Sequence, residues 1–563
     1  MTPPPATARD QPGHPSMLAG AAAGVLTAAV AMGIAQLVAG LTVAQSSPVL
    51  AVGQAAIDLT PLPVKDFAIS TFGPDDKNAL LVGILVILAA FAALIGILAV
   101  RRLARGLLGL AVFACIGLAA ALTRPTATAE YVIPTLAGAA AGAFALTRLV
   151  RAANGLGSPD GGPLPRGAAV KLEPPDLPAS AAGEGDTTPV SSFTFLPSPD
   201  DAGPPRWPAR RRFLTTSGLA VATAAAGALV GRELITRHNV SVARAALRFP
   251  RPAVAAPPLP PGSNMNIPGL SPFITPDGSF YRVDTALLLP EVDPATWQLR
   301  IHGMVQREVT LTFDELLRRP LIEDYITLTC VSDPVGGPYV GNALWLGASL
   351  ADLIRQARPF AGADQLLCTS VDGFTSGTPL QVVLDGRDAL LAVAMNGRAL
   401  PVEHGFPARM VVPGLYGYVS ACKWVTDINV TTFASAYAYW ATRGWSQQGP
   451  IKTESRIDVP VGNATISPGR TPVAGVAWAQ HKGVAAVEVR VDRGPWQEAR
   501  LAAVPGIDTW RQWVWEWDAT AGNHLLEARA TDATGYIQTA VAAQPPPNGA
   551  SGYPSAAVTV RGS

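Results

Sequence analysis

The chain has 563 residues, which is too long for one domain, so several folded units are expected. Only 15% of its residues are charged and the formal net charge is +1, which gives no reason to expect nucleic acid as a partner. The 4 scattered cysteines form no CxxC pair, which argues against a disulfide scaffold and a structural zinc site, and the sequence lacks the Walker-type, HExxH and GxSxG motifs of common NTPases and hydrolases.

The N-terminal part of the chain contains four apolar stretches, each close to the roughly 20 residues that a helix needs to cross a bilayer. They cover residues 17–43, 79–100, 106–122 and 130–150. Small residues dominate them, which favours close packing between helices. None of the 6 histidines lies in these stretches, so no haem is expected there. We predict a four-helix transmembrane bundle over residues 1–151 that anchors the chain or docks a partner.

Arginines predict the orientation of this bundle, because basic residues concentrate on the cytoplasmic side of a membrane. They lie between the second and third stretches and around the end of the fourth: Arg101, Arg102, Arg105, Arg148 and Arg151. The N-terminus is therefore expected inside the cell and residues 44–78 outside. Residues 152–209, rich in Pro, Gly and Asp, are expected to form a cytoplasmic linker without a core of its own.

Residues 210–235 begin with Arg210 and Arg211, followed by Phe213, Leu214 and a weakly apolar stretch. This order resembles a twin-arginine export signal, which implies a cofactor-loaded domain carried outward after folding. The alternative is an ordinary fifth transmembrane helix with a basic cytoplasmic flank. Both interpretations place everything after this helix on the extracytoplasmic side of the cell membrane.

The second half of the chain has the pattern of a soluble, mixed α and β protein. Residues 236–264 form a Pro-rich spacer, residues 296–303 alternate like a strand, and residues 313–318 predict a short helix after Thr312. A β-rich run over residues 325–329 leads directly into Cys330. A cysteine held at a strand end can serve as a metal ligand, although a lone buried cysteine is more often structural.

Three segments of this half resemble the sulfite oxidase family of molybdenum oxidoreductases. They are residues 280–303, the stretch Thr-Leu-Thr-Cys-Val-Ser around Cys330 with residues 340–347, and residues 395–425. The resemblance implies an α+β molybdopterin-binding domain over residues 265–450 and a cofactor of molybdenum with molybdopterin. It implies Cys330 as metal ligand and, with Arg282, as catalytic residue. It also implies cofactor-binding residues, namely Tyr281, Arg282, Asp284, Cys330, Asp372, His404, Arg409, Ser420 and Lys423.

The chemistry of these residues suits such a cofactor. A thiolate suits a high-valent metal, and arginine binds phosphate through two parallel hydrogen bonds. Arg409 lies in an apolar run, where an unpaired cation would be costly, so it is expected to hold either the pterin phosphate or a carboxylate such as Glu403. Taken alone, His404 could equally be a core histidine. Cys368 and Cys422 are interpreted as structural, and their pairing stays open.

The sequence departs from the family in three respects. Val283 and Asp284 follow Arg282 where vertebrate-type members have Asn and His, residues 372–379 contain no counterpart of the substrate-side tyrosine, and no cytochrome domain is attached. The cofactor interpretation survives these changes, whereas sulfite as the substrate does not follow securely.

Residues 451–563 predict an immunoglobulin-like β-sandwich, because short strands alternate with Gly, Pro and Asp. Residues 487–491 alternate, and Trp513, Trp515 and Trp517 share one strand face and are expected in the core. The resemblance implies that this domain mediates a homodimer.

The sequence thus predicts a membrane-anchored enzyme that transfers an oxygen atom to or from a small sulfur compound and passes electrons to an external carrier, either a cytochrome or a quinone-linked protein. Two alternatives stay open: a sulfoxide-type reductase on the same cofactor, and a non-catalytic cell-surface scaffold.

Overall fold

The computed structural model describes residues 17–42, 46–61, 64, 76–123, 127–154, 209–237 and 240–562. Most of the predicted linker, and the N-terminal 16 residues, lie outside this described part. The chain divides into two compact units. The first comprises Met1–Ile57, Ala68–Thr123 and Ala127–Ile235, and the second comprises Asp58–Phe67, Arg124–Thr126 and Thr236–Ser563.

The first unit is helical. Its helices are α1 (Met17–Leu41), α2 (Pro48–Leu59), α3 (Asp76–Arg101), α4 (Leu103–Leu122), α5 (Ile133–Asn154) and α6 (Ala209–Arg237). Among the described residues, 5 helices are long and apolar enough to cross a membrane, which agrees with the predicted spans. Helix α2 is an addition: it lies within residues 44–78, for which no helix was predicted.

Glycines allow the helix backbones of this unit to touch, as the small-residue composition predicted. A Cβ added at Gly33 of α1 would lie 2.6 Å from the Ala224 carbonyl oxygen of α6. A Cβ added at Gly24 of α1 would overlap the Ala92 carbonyl group of α3. Any larger residue at these positions would push the helices apart.

The second unit begins with α7 (Ser241–Ala246), and its Pro-rich segment does not act only as a spacer. The Ala253 amide donates to the Leu321 carbonyl at 2.8 Å, and the Glu323 amide donates to the Val254 carbonyl at 2.9 Å. An extended proline-rich backbone still offers some amides and carbonyls, so it can pair along the open edge of a sheet.

The central part of the second unit contains two sheets and four short helices. Its strands are β1 (Gln298–Gly303), β2 (Val309–Thr312), β3 (Leu321–Thr329), β4 (Val340–Ser349), β5 (Gln365–Ser370), β6 (Thr375–Pro379), β7 (Leu390–Met395), β8 (Arg398–Ala399), β9 (Arg409–Val411) and β10 (Val425–Thr431). The helices are α8 (Phe313–Leu317), α9 (Leu350–Ala357), α10 (Leu380–Leu384) and α11 (Gly417–Ser420).

These strands form one sheet of order β2-β1-β10-β5-β6, in which β1 and β10 run parallel, and one antiparallel sheet of order β3-β4-β7-β8 with β9 paired to β7. The predicted strand over 296–303, the helix after Thr312 and the strand leading into Cys330 are confirmed as β1, α8 and β3. Cys368 and Cys422 are buried free thiols, so they form no disulfide in this structure.

The C-terminal part consists of two further sheets. Its strands are β11 (Glu454–Val459), β12 (Ala464–Ile466), β13 (Gly469–Trp478), β14 (Val484–Val491), β15 (Gln497–Glu498), β16 (Arg500–Leu501), β17 (Arg511–Ala519), β18 (Gly522–Asp532) and β19 (Ser555–Val560). The sheets have the orders β11-β13-β17-β16 and β12-β19-β18-β14-β15. They share one hydrophobic cluster that contains Trp513 and Trp517, with Trp515 packed against it, which confirms the predicted core role of these tryptophans.

Strand β3 is held by the C-terminal part through direct hydrogen bonds. The Thr327 hydroxyl accepts from the Trp510 amide at 2.7 Å and donates to the Asn342 side chain at 2.9 Å. The Gln480 side-chain amide donates to the Thr327 carbonyl and to the Thr329 hydroxyl, each at 3.1 Å. The end of β3 is therefore held both by Asn342 of β4 and by Gln480 and Trp510 of the C-terminal part.

Candidate active site

A cavity opens where β3 ends, at Cys330. Seven of the nine predicted site residues line it: Tyr281, Asp284, Cys330, Asp372, His404, Arg409 and Lys423. They come from distant parts of the sequence, and the two sheets and their connecting loops bring them together.

Cys330 follows the last residue of β3, and its amide donates to the Tyr339 carbonyl at 2.9 Å. The residue is 8% exposed and lines the cavity. Burial raises the pKa of its thiol to about 11, against hydrogen bonds from Ser332 that lower it. A free thiol here therefore stays protonated at neutral pH, and a bound metal would replace the proton.

Arg409 is the first residue of β9 and is only 5% exposed. Its Nη1 atom donates to the His404 carbonyl at 3.0 Å, while its other contacts to carbonyl oxygens are 3.4 Å and 3.5 Å long. Its guanidinium also lies 5.1 Å from the centre of the Trp345 ring. Burial lowers the pKa of Arg409 to about 10, so it remains a cation at neutral pH.

No carboxylate pairs with Arg409 among the residues that the structure describes. The alternative partner considered from the sequence, Glu403, instead accepts a hydrogen bond from Lys423 through its backbone carbonyl. A guanidinium has five N–H donors, and only one of those of Arg409 has a partner within ordinary hydrogen-bond distance. The buried cation thus retains donors for an anion.

Lys423 and Asp284 form a buried ion pair with 2.8 Å between Nζ and Oδ2. Burial lowers the pKa of Lys423 to about 8, and Asp284 opposes this shift. Arg282 approaches the same Asp284 oxygen at 2.8 Å, and its side chain is 39% exposed. This pairing raises the pKa of Arg282.

Two predicted residues lie outside the cavity lining. Arg282 is absent from it because its guanidinium turns to Asp284. Ser420 is fully buried and donates to the Leu415 and Tyr416 carbonyls, at 2.9 Å and 3.1 Å, so its hydroxyl stabilises the turn around α11. The geometry does not bring these two side chains into the site.

His404, Tyr281 and Asp372 also line the cavity. His404 Nε2 lies 3.2 Å from the Asp277 carbonyl oxygen, and burial lowers its pKa to about 4, so the imidazole is neutral at pH 7. The Tyr281 ring stacks on Phe280 with 5.3 Å between centroids, and burial raises its pKa well above the usual value. Asp372 accepts from the Phe374 amide at 3.2 Å.

An aromatic wall that no sequence motif marked also lines the cavity; we define it as Phe374, Tyr418, Trp440 and Trp445. The Trp440 and Trp445 rings lie 6.1 Å apart, and the Tyr418 and Trp445 rings are also 6.1 Å apart. The aromatics of residues 433–445 were the available signal for Trp440 and Trp445, but these two residues lie in no regular helix or strand.

Two buried carboxyl groups lie behind Cys330 and were also missed. Asp333 Oδ2 and Glu454 Oε1 have no hydrogen-bond partner in the described part of the chain. Burial raises the pKa of Asp333 to about 6 and that of Glu454 to about 8. Neither acid lines the cavity.

The donor set fits a metal whose other ligands come from a cofactor. No group of three or more His, Cys, Asp or Glu side chains could hold a metal among the described residues. Cys330 therefore offers one soft ligand, and Arg409 and Lys423 offer buried cations to a phosphate. An organic cofactor that carries both a phosphate and further metal ligands satisfies both features.

Comparison with known proteins agrees with this geometry. Residues 286–440 match the model of the oxidoreductase molybdopterin binding domain. The chain is 30% identical to sulfite oxidase of Gallus gallus over 318 residues, which is 47% of this chain and 68% of the relative. It is 29% identical to mitochondrial sulfite oxidase of Mus musculus over 288 residues, 44% of this chain and 52%, about half, of that relative's length.

Among solved structures, sulfane dehydrogenase SoxCD from Paracoccus pantotrophus superposes with a TM-score of 0.43 at 24% identity, over 48% of this chain and 75% of that one. The matched domain and the extent of the identity to the chicken enzyme decide the classification. The chain belongs to the sulfite oxidase family of molybdopterin-binding oxidoreductases.

Proposed function

We propose that this protein is a membrane-anchored molybdenum enzyme that transfers an oxygen atom between water and a small sulfur compound, and that exchanges electrons with an external carrier. The observation that carries this proposal is Arg409, a buried cation without a carboxylate partner among the described residues, in the same cavity as Cys330. An enclosed cation of this kind requires an anion, and the phosphate of molybdopterin supplies one.

Each cavity residue has a role in this proposal. Arg409 and Lys423 bind the phosphate, Tyr281, Asp284, Asp372 and His404 contact the pterin, and Cys330 is the metal's protein ligand. Arg282 and Ser420 act indirectly: Arg282 orients Asp284, and Ser420 holds α11 in place. His404 is neutral, so it adds no second charge beside Arg409.

When bound, the molybdenum cofactor supplies two-electron oxygen-atom transfer to or from sulfur. The chain itself positions the substrate and limits access of water. The aromatic wall gives the substrate apolar faces, while the Lys423–Asp284 ion pair keeps the cofactor side polar. The electron carrier is proposed to be a cytochrome or a quinone-linked protein, as the family resemblance implies.

The wider arrangement belongs to the same proposal. The five apolar helices anchor the chain in the cell membrane, the twin-arginine-like segment delivers residues beyond it to the extracytoplasmic side, and the two C-terminal sheets form an immunoglobulin-like domain that mediates a dimer. Arg101 at the end of α3 and Arg151 near the end of α5 support this orientation.

The test is cofactor content followed by activity. The full chain, produced in a host that makes the molybdenum cofactor, is expected to contain molybdenum and one equivalent of pterin per folded molecule, and to turn over sulfite or a sulfoxide with an artificial carrier. Folded protein from such a host that contains neither molybdenum nor pterin would favour the scaffold alternative and overturn the proposal.

A further inference from the structure

A second cavity lies inside the helical unit, among α1, α2, α3, α4 and α5. All of its lining residues belong to the first compact unit. Apolar side chains form nearly the whole lining, and none of the lining residues, all of which are described, is ionisable. A cavity of this kind favours an apolar molecule over water or an ion.

The cavity is open because the side chains that face it are small. Ala31 of α1, Ala114 of α4 and Ala139 of α5 line it. The helices cannot move together to fill the space, since the backbones of α1 and α5 already touch. A Cβ added at Gly138 of α5 would lie 2.6 Å from the Ala31 carbonyl oxygen. The helix packing that the glycines impose therefore maintains the cavity.

Thr135 of α5 places one unsatisfied polar group in this apolar lining. Its side chain is 6% exposed, and its hydroxyl oxygen has no hydrogen-bond partner within the part of the chain that the structure describes. The other lining hydroxyl, that of Thr27, donates to the Ala23 carbonyl at 2.8 Å. An unpaired buried hydroxyl costs free energy, and a ligand that carries an oxygen next to Thr135 would offset this cost.

The lining also limits the head group of a ligand. It contains no cation that could hold a phosphate, so it does not suit a phospholipid head group. A lipid acyl chain could fill the space, but it offers no acceptor to Thr135. Phe113, whose ring lies 5.9 Å from that of Phe91, adds an aromatic side chain to the lining, which suits a planar ring. A quinone combines a planar ring, a carbonyl acceptor and a long apolar tail.

We propose that the helical unit binds an isoprenoid quinone in this cavity, with a quinone carbonyl oxygen accepting a hydrogen bond from the Thr135 hydroxyl. The inference adds a ligand to the proposed function. It rests only on the part of that function that places the apolar helices in a membrane, and it is independent of the molybdenum chemistry.

Binding of tritiated menaquinone-4 to the full chain in nanodiscs of synthetic phosphatidylcholine tests this proposal. Saturable binding is expected. Thr135→Val keeps the shape of the side chain and removes the hydroxyl, so it should weaken binding about three- to tenfold, the effect of one neutral hydrogen bond. Thr147→Val is the matched control on the same helix, because the Thr147 hydroxyl already donates to the Ala143 carbonyl at 2.8 Å and does not line the cavity. It should leave the dissociation constant unchanged.

A second pair of variants tests the position of the ligand. Ala139→Phe fills the cavity and is expected to abolish saturable binding, whereas Ala140→Phe, at the adjacent exposed position outside the lining, should not. Gel filtration of both variants checks that they fold.

Three results would overturn the inference: no saturable binding to the wild type, equal binding by Thr135→Val and Thr147→Val, or complete displacement of the quinone by an equal concentration of a diacylglycerol. Any of these in protein that contains molybdenum and pterin would leave the proposed function standing. Saturable quinone binding that Thr135→Val weakens, in protein from a cofactor-producing host that nevertheless lacks pterin, would support this inference and overturn the molybdenum enzyme instead.

Discussion

Burial acts on Cys330 and Arg409 in the same physical way but with different consequences for their charge. Loss of hydration disfavours the charged form of both, so the thiol pKa rises to about 11 and the guanidinium pKa falls to about 10. At neutral pH the thiol is therefore uncharged, whereas the arginine is still a cation. A cofactor that brings a metal cation to the first and a phosphate to the second compensates both costs.

Cys330→Ser is expected to abolish turnover and to leave the fold and most pterin binding intact. The serine hydroxyl occupies nearly the same volume at the end of β3, but an alkoxide is a poor replacement for a soft thiolate. Turnover, pterin content and thermal melting of the purified variant check this. Substantial activity in fully loaded Cys330→Ser protein would contradict the assignment of the metal ligand.

Arg409→Ala is expected to lower pterin content strongly, and Arg409→Lys to lower it partially. Alanine removes a charge-assisted contact of about 1.5–3 kcal/mol, while lysine keeps the charge but loses the forked geometry. Pterin per folded molecule and melting of the cofactor-free protein are measured for both variants. If Arg409 were only structural, alanine would destabilise the cofactor-free protein and leave occupancy of the folded fraction unchanged.

Glu454→Gln is expected to make stability less sensitive to pH between 6 and 8. Burial raises the pKa of Glu454 to about 8 from 4.5, with Asp333 raising it further and Lys452 lowering it. Its folded pKa exceeds the unfolded one, so its contribution to stability is present below pH 4.5 and is lost as pH rises towards 8. From pH 6 to 8 the loss amounts to about 2 kcal/mol.

The free energy of unfolding of both proteins at these two pH values checks this prediction. Asp333, whose pKa is about 6, is present in both proteins, so the comparison uses the difference between their losses of stability and not either loss alone. Equal losses in the wild type and in Glu454→Gln would show that Glu454 is ionised in the folded protein throughout.

At the scale of single elements, local patterns were sufficient where the elements depend on local interactions. The apolar spans, the alternation of β1 and the end of β3 at Cys330 were predicted, because hydrophobic period and length decide such elements. Two features could not be predicted: the pairing of the Pro-rich segment with β3, and the aromatic wall of the cavity. Both depend on contacts between positions far apart in sequence, for which a single sequence carries no pattern.

Helix α8 is the clearest case of local control. The Thr312 hydroxyl accepts from the Glu315 amide at 3.3 Å, and the Glu315 carboxylate accepts from the Thr312 amide at 2.9 Å, which is a complete capping box. Thr312→Ala is expected to destabilise the protein by about 1 kcal/mol, measured by denaturant unfolding. Glu315→Gln, which keeps an acceptor at the same position, is the control and should cost less; an unchanged unfolding midpoint in Thr312→Ala would show that α8 forms without its cap.

At the scale of the whole molecule, the order of the helical and β-rich units could be predicted from composition. The side of the membrane on which each unit lies was predicted from the arginines alone. Among the described residues, α6 contains the arginine pair and the weakly apolar span that follows it. The family motifs marked nine site residues, and seven of them line the cavity. The other two, Arg282 and Ser420, point elsewhere because Arg282 bonds to Asp284 and Ser420 bonds within the turn around α11.

Replacement of both Arg210 and Arg211 by lysine is expected to leave the catalytic unit in the cytoplasm while the first four spans still insert. Lysine keeps the positive flank of a membrane helix but not the arginine pair of the export signal. Protease added to intact spheroplasts checks which side the unit occupies. A single Arg212→Lys substitution at the neighbouring position is the control, and unchanged digestion in the double variant would favour an ordinary fifth transmembrane helix.

The hydrogen bonds that hold β3 also determine when the site can be completed during synthesis. Thr327 bonds to the Trp510 amide, and Gln480 bonds to Thr327 and Thr329 beside Cys330. A ribosome that has just made Cys330 must therefore add roughly another third of the chain before the strand obtains its final partners. Cys330 therefore reaches its native surroundings only near the end of translation, after most of the C-terminal sheets have been made.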